Sequence, residues 1–180
     1  MLRKILTYGA LAGLIVGTGT ALFATMIAMR GHPPSSYGML IGYLTMLVAL
    51  SLVFVAIKRH RDAELGGVIR FWPTFGLGLG VSFVASLCYV LAWEAAQAIT
   101  DLDFANAYAS GAIERQKAQG ISAEALAKLV ADMERFKANY ANPAYRLPMT
   151  FAEIFPVGIL VSLISAAVLR NSRVLPARRG

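Results

Sequence analysis

Cysteine is nearly absent from this chain of 180 residues, and the one present, Cys88, stands inside an apolar stretch. It can form no disulfide within the chain and no paired-cysteine metal site, and it reads as a small packing residue. Histidine is almost as scarce. His32 and His60 fall on opposite sides of a long apolar run and cannot share one metal. There is no HExxH, P-loop, GxSxG or GxGxxG, so no nucleophile, zinc or nucleotide constellation is visible. No catalytic residue, metal ligand or cofactor is therefore expected, and the reading is of a protein that is not an enzyme. The sequence also lacks the alternation over ~10-residue segments that marks a membrane β-barrel. Most telling is the lack of charge across long distances. Mean hydropathy is +0.60 and 57% of residues are hydrophobic.

What is there instead is four apolar runs, about residues 5–29, 39–57, 75–99 and 149–169. Each can cross a hydrocarbon core of ~30 Å as a helix. In lipid every backbone amide must be bonded within its own segment, which makes each run helical. The expected fold is all-α: an integral membrane four-helix bundle, one domain over residues 1–180. An insertion at about 101–146 forms an extracytoplasmic helical hairpin between spans three and four. The first run is read as a span, because about 25 apolar residues exceed a cleavable leader's core.

Charge orients these spans. Arg3 and Lys4; Lys58, Arg59, Arg61 and Arg70; and Arg170, Arg173, Arg178 and Arg179 make ten of the seventeen basic residues, with only Asp62 and Glu64 among them. The 101–146 segment carries six bases and six acids. The positive-inside rule then puts both termini and the middle loop in the cytoplasm. The basic pieces are short and juxtamembrane, which points to the bilayer and its anionic headgroups as partners, not to nucleic acid. Within the middle loop, Arg59 and Arg61 with the Gly66-Gly67 backbone form a candidate contact for a headgroup or other phosphate.

The insertion reads as two helices parted by Gly120. The second has Ser122 as N-cap, Glu124 in the first turn, and an apolar stripe of Leu126, Leu129, Val130, Met133, Phe136 and Tyr140, ending at Asn142-Pro143. That stripe covers its partner helix or the membrane face, or receives an envelope protein. Small residues spaced by four mark span contacts: Gly9, Gly13 and Gly17; Gly76 and Gly80; Gly158, Ser162 and Ala166. Packing within one chain is the first expectation for them, a homodimer the second.

Only two acids interrupt the spans, Glu94 and Glu153. Counted from the ends of their runs they lie roughly 6–8 Å below the outer boundary, at matching depth. Glu94 is eighteen residues from Gly76 and so shares its helix face. Gln97, Thr150 and Arg146 lie near these acids. Together the five form a candidate ligand or proton site, an outer acidic pocket. Structural pairing of each Glu with Arg146, Arg30 or a neighbouring helix is the competing expectation.

The stretches KRHRDAELGGVIRFWPTFGLG, DMERFKANYANPAYRLPMTF and MTFAEIFPVGILVSLISAAVLR resemble those of the bacterial domain-of-unknown-function family numbered 4199, and the resemblance runs from the LRKILTYGALAGLIVG start to Arg170. It implies a four-span inner-membrane protein of a Gram-negative bacterium and no particular activity. The function expected on all of this is an accessory or scaffold protein of the cell envelope. The alternative is a small transporter or ligand- or ion-binding protein that uses the acidic pocket.

Overall fold

The computed structural model describes residues 1–30 and 36–176. His32, the turn around Pro33-Pro34, Arg178 and Arg179 lie outside the described residues. Among those described there are six helices and no strand: α1 (Leu2–Arg30), α2 (Ser36–Glu64), α3 (Phe71–Thr100), α4 (Phe104–Ala118), α5 (Ala123–Tyr140) and α6 (Pro143–Arg170). α1, α2, α3 and α6 are long and apolar enough to cross a membrane. Their outward faces carry Leu14, Leu22, Leu47, Val48, Leu91, Leu160 and Ile164 in exposed positions. An aqueous surface would penalise such a stripe, whereas acyl chains accept it.

α3 touches each of the other three long helices. Its contact with α1 is the most extensive and follows from the glycine run. A Cβ on Gly9 would sit 2.5 Å from that of Val84; one on Gly13 would collide with Cys88; one on Gly17 would sit 3.0 Å from that of Ala92. The offset is 75 residues each time, so the two helices run parallel and in register. The α1 stripe is thus filled by α3 of the same chain, and Cys88 is a packing residue against Gly13. Without glycine the helix backbones could not come this close.

α3 and α6 run antiparallel. Gly78 faces Ser162, and Gly158 faces Ser82. The numbers of facing residues add to 240. A polar seam follows this contact: the Ser82 hydroxyl donates to the Gly158 carbonyl at 3.2 Å, and Ser162 donates to the same oxygen at 2.7 Å. The expected glycine face of α3 is corrected here. Gly76 meets nothing within 4 Å, and Gly78 makes the close approach instead. Glu94 therefore owes no inward placement to Gly76.

α2 outlasts its apolar run. Lys58–Asp62 at 2.5 Å and His60–Glu64 at 2.8 Å are pairs four residues apart. Such pairs favour a further helical turn, so the helix extends through a stretch that composition alone marks as loop. It stops at Gly66 and Gly67, with φ of 60° and 89°. The Gly67 amide turns back to donate to the Arg61 carbonyl at 3.0 Å, which also accepts from the Leu65 amide at 3.3 Å and so closes the end of the helix.

Candidate functional site

The end of the long helices at which α4 and α5 sit will be called the insertion end, and the other the basic end. At the insertion end, Asn142 caps α6 by accepting from the Ala144 amide at 2.9 Å, with Pro143 in the first turn. One turn later comes Arg146. Its Nε and one terminal nitrogen meet the two carboxylate oxygens of Glu94 at 2.7 and 2.6 Å. Its other terminal nitrogen donates to the Tyr140 carbonyl at 3.2 Å, and the guanidinium lies 5.7 Å from the Tyr140 ring centre. This forked pair ties α3, α5 and α6 together, with the side chains 20% and 29% exposed.

Tyr140 is the hub. Trp93 Nε1 donates to its hydroxyl at 2.7 Å. Phe104 stands edge-on to Trp93, ring centres 5.0 Å apart, and Phe136 lies 5.4 Å from Tyr140. Burial pushes the Tyr140 phenol up to about 12. Trp93 opposes it by hydrogen bonding. Beside this cluster opens a cleft of about 400 Å³, lined by Gln97, Asp103, Asn106, Lys137, Tyr140 and Arg146, among others.

Glu153 is placed differently. Its carboxylate accepts from the Tyr89 hydroxyl at 2.8 Å. The expectation of matching depth is corrected by the helix register. Glu94 stands level with Arg146, whereas Glu153 lies seven residues further along α6, roughly 10 Å deeper. The two apolar runs are not aligned end to end: position 149, where that of α6 begins, stands opposite position 91 of α3 and not position 99. Glu94, Arg146 and Gln97 are brought together; Glu153 is not with them. Thr150 is buried and donates to the Arg146 carbonyl of its own helix at 3.0 Å. Tyr89 and Trp93 are not among the residues the sequence points to, and Tyr140 enters there only as the end of an apolar stripe. Their one signal is an aromatic ring with a polar tip at or near a span.

The second candidate site, at the basic end, is also changed. Arg61 is fully buried. Its Nε donates to Asp62 at 2.7 Å, one terminal nitrogen to the carbonyls of Val174 at 2.9 Å and Leu169 at 3.4 Å, and the other to the Leu175 carbonyl. It has no surface left for a headgroup. The Gly67 amide is engaged in the α2 cap, so the two glycines do not present a free phosphate cradle. Of the two arginines only Arg59 stays exposed, 3.4 Å from the Tyr8 hydroxyl. Lys4 joins the same end through Glu64 at 2.6 Å. Among the described residues, no three of His, Cys, Asp or Glu gather as metal ligands.

These features define an all-helical protein with four membrane-length apolar helices and an ion-paired aromatic cluster at one end. The chain belongs to the family described as Protein of unknown function (DUF4199), whose model matches residues 7–171. No curated protein and no solved structure matches the chain.

Proposed function

We propose that this is a multi-pass protein of the bacterial inner membrane: one domain, a four-helix bundle with an extracytoplasmic helical hairpin, α4 and α5, and both termini cytoplasmic. It serves as a non-enzymatic accessory or scaffold of the envelope. The topology rests on the basic residues gathered at one end, with exposed Arg59 available to anionic headgroups. The role rests on one observation. α5 is strongly amphipathic, yet only Tyr140 of its stripe is buried, and Leu126, Leu129, Val130 and Met133 remain partly or largely open. The two acids of the spans meanwhile bond to Arg146 and Tyr89 of the same chain.

A photo-crosslinking residue at Met133 tests the role. A scaffold gives a discrete protein adduct that Leu129→Glu removes while membrane insertion stays intact. Adducts with lipid alone would reject this surface. The second reading, a small ligand- or ion-binding protein, draws on the cleft that Gln97 and Arg146 share with Lys137. It requires that Gln97→Ala and Lys137→Ala abolish binding of a ligand without unfolding α4 and α5.

A further inference from the structure

Glu153 has no counterpart in the four long helices. Glu94 meets a guanidinium, whereas Glu153 meets no cation among the described residues. It is exposed on the flank of α6, within an apolar run and roughly 6 Å inside the end of that run. Its one hydrogen-bond donor is the buried Tyr89. The titratable groups facing it are phenols: Tyr89 from α3 and Tyr140 from α5, with Tyr43 of α2 within electrostatic reach of Tyr89. The nearest cation on its own helix, Arg146, is held by Glu94. An ionised carboxylate so placed is expensive in hydrocarbon, and a proton removes that expense.

We propose that Glu153 is a proton-binding site that opens sideways onto the acyl chains. In the membrane it is a carboxylic acid. On release the proton passes to interfacial water at the insertion end, the electron pair stays on the carboxylate, and the Tyr89 O–H donates to the resulting charge. The site is separate from the Glu94–Arg146 pair and independent of the scaffold role.

The test uses the full chain in phosphatidylethanolamine–phosphatidylglycerol liposomes and dicyclohexylcarbodiimide, an apolar reagent. A protonated carboxyl adds across its C=N bond, and the adduct rearranges to a stable N-acylurea detected by peptide mass spectrometry. The expected result is labelling of Glu153 and not of Glu94, declining as pH is raised. Glu153→Gln abolishes it. Tyr89→Phe removes a donor to the charged form and shifts the decline by about one pH unit, a roughly tenfold gain in proton affinity. That shift would not arise if Tyr89 only packed. Equal labelling of both acids, labelling independent of pH, or none in liposomes would overturn the proposal. So would suppression by sodium at constant ionic strength, which would make the ligand a metal cation. Labelling confined to detergent-solubilised monomers would mean that another helix covers this face, and would overturn it too.

Discussion

Arg61 and Arg146 stand at opposite ends of the same helices and bond to different kinds of acceptor. Arg146 matches a carboxylate, fork to fork, and stays partly exposed. Arg61 is entirely enclosed, and three of its acceptors are main-chain oxygens at and beyond the end of α6. The charge of Arg146 is neutralised by a partner of opposite charge. That of Arg61 is shared between Asp62 and carbonyl dipoles, and Asp62 also takes Lys58. A paired carboxylate fixes two side chains; a set of carbonyls fixes a stretch of chain. The insertion end is therefore joined through named side chains and the basic end through backbone.

The largest expected effect lies in the enclosed arginine. Arg61→Met should lower stability by about 3–5 kcal/mol, since it strips a buried ionic network of its centre. Arg61→Lys should recover little, because an ammonium lacks the planar fork. Unfolding in mixed micelles reads both, and a loss under ~1 kcal/mol would erase the contrast between the ends. Between the ends, Gly13→Ala should cost roughly 1–3 kcal/mol by overpacking against Cys88. Adding Cys88→Gly should return much of it, and a failure to do so would place the strain elsewhere.

At the insertion end, Tyr140→Phe leaves Trp93 Nε1 without its acceptor, for about 1–3 kcal/mol. Because the folded-state phenol is pushed up to about 12, its stabilising contribution is complete below ~10 and disappears as pH climbs toward that value. Emission from Trp93 in a Trp72→Phe chain should shift over that interval, and a flat trace would detach Tyr140 from the stability of this end. The smallest effect concerns the two acids. Glu94→Gln and Glu153→Gln should add within ~0.5 kcal/mol in a double-mutant cycle, since they sit about two helical turns apart with separate partners. A larger coupling would reinstate one shared pocket.

Much of the fold was legible because lipid permits few solutions. The four long helices follow from apolar length, the α1 stripe from glycines spaced by four, and the start of α5 from Ser122, whose hydroxyl accepts the Ala125 amide at 3.2 Å. The site was legible only in pieces. Residue numbers carry no information on how far α3 and α6 slide past each other, and that slide separates Glu153 from Glu94. Nor does KRHR announce which of its bases is enclosed. Arg59 and Arg61 are alike in sequence, yet one faces outward and the other turns under the end of α6. The second outcome depends on carbonyls more than a hundred residues away.

The Arg61 contact addresses its targets by position and is blind to their identity. A guanidinium that grips the carbonyls of residues 174 and 175 cannot distinguish Val and Leu from other side chains there. Leu175, with φ of 48°, would even be relieved by glycine. What the contact measures is chain length. A terminus cut back to residue 173 should behave like the loss of Arg61 itself, whereas wholesale rewriting of 174–176 should pass unnoticed. In this protein the tail is read as a ruler, not as a text.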